Sequence, residues 1–246
     1  MKAVVLAGGF AKRMWPLTKD KPKHLLPVAG KPMLDYILAK LEPLADVDQI
    51  YISTNAAFER YFRQYLETIG TKKNVSLFIE DSRREEEKLG SVGALDYLVT
   101  KCGVDEELLV FCGDNIFSFS IKDFVDFFRK KGANTVALFD LESKERARYY
   151  GVVKIDPDSR IVDFQEKPTE PKTTLVSTAC YAFTEDGVRN LRRYLEGGNE
   201  PDKMGHFIEW LHRNDEVYGY VFKGVWFDIG SFESYHEANK HFTKRQ

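Results

Sequence analysis

Apolar residues along the chain fall into two patterns: short unbroken runs and stripes at helical spacing. Ala3-Val4-Val5-Leu6-Ala7 does not alternate with polar residues, so it reads as a strand buried on both faces. A loop rich in Gly, Pro and Lys follows, from Gly8 to about Lys31. Pro32 suits the first position of a helix, and Leu34, Ile37, Leu38 and Leu41 mark one face of it. Ile50 to Ser53 and Val75 to Ile79 are further strands. Between them Phe58, Phe62, Tyr65, Leu66 and Ile69 recur at helical spacing, with Gly70 as a stop. Glu80 to Lys88 is dense in charge and predicts a solvated loop. Ser91 to Lys101 reads as a helix and Leu108 to Cys112 as a buried strand. Ser120 caps a helix that carries Phe124, Phe127 and Phe128 and closes at Gly132. Thr135 to Phe139 is again a strand.

Strand and helix thus alternate over the first 140 residues, which predicts a parallel sheet with helices on both faces and right-handed crossovers. The pattern then changes. Tyr150 to Ile155 and Ile161 to Gln165 are short strands joined by the turn Asp156-Pro157-Asp158-Ser159. Leu175 to Phe183, Val217 to Phe222 and Val225 to Phe227 are strands. Asp186 to Leu195, Met204 to Arg213 and Phe232 to about Phe242 are helices. The expected class is α/β, Rossmann-like, with a mostly parallel mixed sheet flanked by helices. One domain is expected over 1–246, with a subregion boundary near residue 145 and no repeats.

The 246 residues suffice for one substantial core. Thirty-six basic and 38 acidic residues give a net charge of −2, which excludes a general polyanion-binding surface, and no nucleic-acid partner is expected. Cys102, Cys112 and Cys180 suit neither a zinc site nor a redox pair, so free thiols in a reducing cytoplasm are expected. The apolar run at the N-terminus is too short for a signal peptide, and no stretch is long enough to span a bilayer. The histidines show no metal-ligand spacing.

Four constellations carry candidate chemistry. Leu6-Ala7-Gly8-Gly9 and the residues on to Arg13 and Lys23 place glycines at a strand's C-terminal end. Backbone N–H groups there can cradle anionic oxygens. Arg13 adds a planar fork and Lys23 a compact charge. The alternative is a glycine turn with solvated lysines. Asp114, in Cys112-Gly113-Asp114-Asn115, sits where parallel sheets place ligands. It can act as one of the few carboxylates that Mg²⁺ takes, or it can cap a turn. Gly151 lies in Tyr150-Gly151-Val152-Val153, ahead of Glu166-Lys167-Pro168 and Ser177-Thr178-Ala179-Cys180-Tyr181. Glu166 can accept from sugar hydroxyls and Lys167 can pair with a phosphate, or the two can be an exposed ion pair. Asp228, in Trp226-Phe227-Asp228-Ile229-Gly230, stands at an apolar strand end where an aspartate can cap the last helix.

In this order the motifs resemble the sugar-phosphate nucleotidylyltransferases, the NDP-sugar pyrophosphorylases, over nearly the whole chain. The resemblance implies the nucleotide-diphospho-sugar transferase fold. It assigns about 1–140 to the nucleotide and about 145–246 to the sugar phosphate. Arg13 then contacts the triphosphate and Lys23 acts at the α-phosphate. Asp114 and Asp228 hold Mg²⁺, and Glu166, Lys167, Thr178 and Tyr181 serve the sugar phosphate. Leu89-Gly90-Ser91-Val92-Gly93-Ala94-Leu95 resembles the family segment that lies against the base. Glu80 falls near the family's base-reading glutamine, with the insert to Lys88 blurring the register. The family usually has glycine where this chain has Ala11, and Asn-Thr-Gly where it has Ser177-Thr178-Ala179.

The expected reaction joins a nucleoside triphosphate to a sugar 1-phosphate and releases pyrophosphate, without a covalent intermediate. Glucose 1-phosphate with dTTP or UTP is the first expectation, and mannose 1-phosphate with GTP the second. A non-catalytic nucleotide-sugar sensor is the rival from another class, and a homo-oligomer is compatible with either reading. A dinucleotide-dependent oxidoreductase is disfavoured, because the third spaced glycine is missing and no acidic residue ends Tyr51-Ile52-Ser53-Thr54-Asn55.

Overall fold

The computed structural model describes residues 1–244. The chain opens with β1 (Lys2–Leu6), and a loop with two 3₁₀ turns, Lys12–Met14 and Lys23–Leu25, leads to a small hairpin, β2 (Pro27–Val28) and β3 (Lys31–Pro32). Then come α1 (Met33–Leu41), β4 (Gln49–Asn55), α2 (Glu59–Leu66), β5 (Asn74–Glu80), α3 (Gly90–Cys102), β6 (Leu108–Cys112) and β7 (Asn115–Phe117). They are followed by α4 (Ile121–Lys131), β8 (Asn134–Asp140), the single turn α5 (Lys144–Ala147), β9 (Gly151–Ile155), β10 (Ile161–Glu166) and β11 (Leu175–Phe183). The chain ends with α6 (Glu185–Glu196), α7 (Met204–Asn214), β12 (Val217–Phe222), β13 (Trp226–Asp228) and α8 (Phe232–Thr243).

Nine strands form one sheet, ordered β10-β9-β11-β6-β1-β4-β5, with β8 pairing β11 and carrying β12 on its other side. The block β6-β1-β4-β5 is parallel throughout. β11 runs antiparallel to β6 and β8, while β12 is parallel to β8. The sheet is therefore mixed and runs through both halves of the sequence.

The unbroken apolar run of β1 has a direct cause. Ala3, Val5 and Ala7 pack into one core with residues of α1, α2 and α4, while Val4 and Leu6 pack into a second core with α3, α6 and α7. Both faces are dry, so alternation is absent. Helix ends follow local chemistry. The Ser120 hydroxyl accepts from the Asp123 N–H, and Gly132 closes α4 at φ 62°. Pro32 stands just before α1 instead of inside its first turn.

The path β1 to β4 to β5 runs outward on one side, and the chain then returns to place β6 on the other side of β1. That reversal leaves a crevice beyond the carboxyl ends of β1 and β6, where ligands of open α/β sheets bind.

Candidate active site

A cleft of about 580 Å³ opens over that crevice. Leu6, Gly8, Gly9, Arg13, Lys23, Gly90, Asp114 and Lys167, all nominated by the sequence, line it. A larger cavity of about 770 Å³ lies between α1 and the segment after α2, and holds none of the nominated residues.

The loop after β1 is fastened through its carbonyls. The Leu6 carbonyl accepts from the Gly113 N–H at 2.8 Å. The Thr54 hydroxyl donates to Ala7 O at 3.2 Å and Asn55 Nδ2 to Gly8 O at 2.7 Å. The Thr18 hydroxyl donates to Ala11 O at 2.8 Å. The N–H groups of Gly8, Gly9, Phe10 and Ala11 donate to none of the described residues. N–H groups left free in this way can cradle an anion. Ala11 takes the left-handed conformation, φ 49° and ψ 43°, at the position where glycine was expected.

Charge is concentrated at the mouth of β6. Lys23 Nζ stands 2.6 Å from Asp114 Oδ2, and Asn115 Nδ2 donates to Asp114 Oδ1 at 2.9 Å. Burial alone would raise the Asp114 pKa, but the Lys23 ammonium holds the carboxyl below the usual range. β13 runs antiparallel to β7, with Asp228 opposite Asn115, and the Ile229 N–H donates to Asp114 O at 2.9 Å. The two aspartates therefore converge from sequence positions far apart. Burial and then the charge of Asp114 push Asp228 up to about 6, against Lys23, Lys167 and Arg13. Arg13 and Lys167 are exposed and form no salt bridge with a described residue.

His24 is buried beside Lys23, and its Nδ1 has no hydrogen-bond partner among the described residues. Burial and the Lys23 charge push it down to about 4, so it is neutral at pH 7.

The sugar-side residues divide. Lys167 lies at φ 49° directly after β10, with its N–H on Tyr150 O at 3.0 Å. Such a backbone state costs free energy and is a feature of functional sites. The Glu166 carboxylate is held against the start of α7, where a Cβ at Gly205 would come within 1.9 Å of Oε2. Burial pushes Glu166 up, and Lys167 opposes it. A Cβ at Gly151 would meet the Phe164 ring at 2.5 Å, so Gly151 lets β10 close onto β9. Thr178 departs from expectation: it is fully buried, and its hydroxyl donates to Ala137 O at 2.9 Å. Tyr181 is likewise buried. Both stand on β11, which has strands on either side and cores on both faces. Ala7 is buried too and takes part through its backbone only.

Several lining residues escaped the sequence reading. Lys88 pairs with Glu85 at 2.8 Å and Asp202 at 3.0 Å, joining the charged insert to the loop before α7. The Ser91 N–H donates to Asp202 O, and the Val92 and Gly93 N–H groups donate to Pro201 O, so α3 is capped from the other half of the chain. Gly90 is needed there: its φ is +79°, and a Cβ would lie 2.5 Å from both Asp202 Cα and Pro201 O. No local signal marks a contact between residues more than a hundred positions apart.

A nucleotidyl transferase family model matches residues 2–245. The chain belongs to the nucleotidyl transferase family. Among curated relatives, a Sulfolobus acidocaldarius protein provisionally named mannose-1-phosphate guanyltransferase is 32% identical over 241 residues. The match covers 97% of this chain and 62% of that protein. The bifunctional protein GlmU of Methanocaldococcus jannaschii is 29% identical over 248 residues, covering 100% of this chain and 55% of the relative. The chain thus spans less than two thirds of these relatives' length. Among solved structures, a Bacillus anthracis protein provisionally named glucose-1-phosphate thymidylyltransferase superposes with a TM-score of 0.84 at 26% identity. It covers 99% of this chain and 95% of that one. A UDP-glucose pyrophosphorylase complexed with UDP-glucose gives 0.83 at 22% identity, over 100% of this chain and 99% of that one, a likeness of fold. No helix of the described residues is long and apolar enough to cross a membrane.

Proposed function

We propose that this chain transfers a nucleotidyl group from a nucleoside triphosphate to a sugar 1-phosphate and releases pyrophosphate. One observation carries the reading. Arg13, Lys23, Asp114 and Lys167, nominated from three separate motifs, line one cleft, and β13 carries Asp228 to its edge, opposite Asn115 and one residue from the Ile229 N–H that donates to Asp114 O. Two polyanions must meet for this reaction, and the protein's task is to position and neutralise them.

The parts divide the work. The free N–H groups after β1 and the unpaired Arg13 hold the triphosphate and the departing pyrophosphate. Lys23, deep beside β6, faces the α-phosphate. Lys167 binds the sugar phosphate, and Glu166 accepts from sugar hydroxyls. A phosphate oxygen of the sugar phosphate attacks the α-phosphorus in line, the bond to the β-phosphate oxygen breaks, and pyrophosphate carries that electron pair away.

The donor set suits Mg²⁺, which takes one or two carboxylates together with phosphate oxygens and water: Asp114 and Asp228 are brought to neighbouring positions by the pairing of β7 with β13. When bound, Mg²⁺ would neutralise phosphate charge between Asp114 and Asp228. The reading takes glucose 1-phosphate and mannose 1-phosphate as the sugar substrates to try first, since the named relatives differ in this respect.

Product analysis tests the reading. Protein supplied with Mg²⁺, a triphosphate and a sugar 1-phosphate should form a nucleotide sugar, seen by mass spectrometry, and none when either substrate is withheld. Tight nucleotide-sugar binding with no product from a panel of both substrates would instead make the chain a sensor.

A further inference from the structure

A second cavity, of about 430 Å³, adjoins the catalytic cleft along the loop after β1 and shares Phe10, Lys12 and Glu85 with it. None of the residues nominated from sequence lines it. Its lining is aromatic and basic together. Phe10 and Phe58 form a tilted pair in its wall, ring centroids 5.6 Å apart. Trp15 is 48% exposed, although Met14 and Thr18 on either side of it are buried. The Met14 N–H and the Thr18 hydroxyl both donate to Ala11 O, at 2.9 and 2.8 Å. An anchored loop therefore holds the indole outward, and a large apolar ring forgoes burial there.

Five cations and three carboxylates line the cavity. Lys12 pairs with Glu86, and Glu85 and Arg84 pair with Lys88 and Glu87 outside it. Lys19, Arg60 and Arg83 form no salt bridge among the described residues, and Asp20 is the one carboxylate left to face them. Arg60 stands in the first turn of α2, where the helix dipole disfavours a cation. Its neighbour Glu59 is taken by Arg63 at 2.6 Å. The Arg60 guanidinium lies 4.6 Å from the centre of the Tyr61 ring and donates to the Tyr61 hydroxyl at 2.6 Å, so it is held in place over an aromatic face. Three uncompensated cations beside an outward-facing indole match a ligand that is anionic at one end and flat at the other.

We propose that this cavity is a second, non-catalytic site for a nucleoside triphosphate, with the base stacked on Trp15 and the phosphates on Lys19, Arg60 and Arg83. Indole stacking accepts any base, and the cations supply charge-assisted hydrogen bonds to phosphate. The cavity's size suits a single small ligand, and a chain of net charge −2 offers no track for a polynucleotide. Lys12 faces both cavities. An anion in the second one draws Lys12 from Glu86 and acts on the loop that carries Arg13, which couples the two sites. The site goes beyond the nucleotidyl-transfer reading and does not depend on turnover.

Equilibrium dialysis against an equimolar mixture of GTP, ATP, UTP and dTTP, without sugar phosphate, counts nucleotides per chain in wild type, Trp15→Ala and the double variant Arg60→Ala, Arg83→Ala. The substituted side chains are exposed, so both variants should keep the fold, which thermal melts verify. Wild type should bind two nucleotides and each variant one. If the cleft bound none, the counts would be one and none, so the loss of one nucleotide per chain is the deciding quantity whatever becomes of the reaction assignment. Equal counts in wild type and either folded variant overturn the proposal. The affinity of the nucleotide that remains should differ by ~5-fold or more from that of the same site in wild type. An unchanged affinity overturns the coupling through Lys12.

Discussion

Lys23 Nζ and Asp114 Oδ2 stand 2.6 Å apart at the carboxyl end of β6, joined across 91 positions of sequence. Lys23 is 8% exposed, so its charge is poorly solvated and the aspartate compensates it. On the proposed reaction the same ammonium would turn to phosphate oxygens at little additional desolvation cost. Lys23→Met should reduce kcat by ~10²-fold or more through loss of a central cation. It should also leave Asp114 without its counter-ion, which lowers the melting temperature. Steady-state rates and thermal melts check both effects.

Asp228 makes stability without substrate depend on pH in an unusual direction. Its folded-state pKa of about 6 lies above the ordinary 3.8. Between those values the folded protein keeps the proton and the unfolded chain has shed it. Raising the pH therefore favours unfolding across this window. Buried, neutral His24, at about 4 against 6.5, acts in the opposite sense and masks the effect in the wild type. Asp228→Asn removes one of the two opposing contributions. Its melting temperature relative to wild type should rise as pH goes from about 4 to about 7 in chelator, as read by calorimetry. A difference that stays flat with pH would contradict the assignment.

Ala11 and Ala179 both stand where the family resemblance led to an expectation of glycine, and both are left-handed, at φ 49° and 55°. Ala179 lies at the register shift of β11 between Ser177 and Tyr181. At both positions alanine holds a conformation that glycine adopts freely. Left-handed alanine costs ~1 kcal/mol, against ~0.5–1 kcal/mol of added chain entropy for glycine. Ala11→Gly and Ala179→Gly should thus change stability by less than ~1 kcal/mol, with the fold intact. Ala11→Val, with a branched Cβ, should destabilise clearly. Denaturant titrations of the three variants measure this.

Gly205 sits beneath the Glu166 carboxylate, with 1.9 Å available to a Cβ. Gly205→Ala should displace the end of that side chain without unfolding α7. The expected outcome is a sugar-phosphate KM raised by ~10-fold or more, with the triphosphate KM little changed. Kinetics with each substrate varied in turn will show whether the effect falls on one side only.

The parallel half was legible because its signals are local: unbroken apolar runs for β1 and β6, a serine cap and a glycine stop for α4. β7 and the β2–β3 hairpin were missed because two or three residues carry no periodicity. Yet β7 is the element that pairs with β13 and brings Asp228 to Asp114. The motifs nominated those residues without showing how they meet. The place of Thr178 was unreadable for a different reason. Its hydroxyl is satisfied by Ala137 O, from a strand 41 positions away, and sequence cannot reveal which polar residue a sheet has enclosed. The Lys88–Asp202 link was hidden in the same way, since each residue alone looks like solvated charge.

The account depends on Asp114 and Asp228 acting as one cation-dependent centre for phosphate chemistry. The most direct measurement is the Mg²⁺-dependent rate of pyrophosphate release by wild type, Asp114→Asn and Asp228→Asn, each confirmed folded. Wild type should release pyrophosphate only with Mg²⁺ and both substrates, and each variant should fall by ~10²-fold or more. A near-normal rate in either variant, or full wild-type activity in chelator, would contradict it.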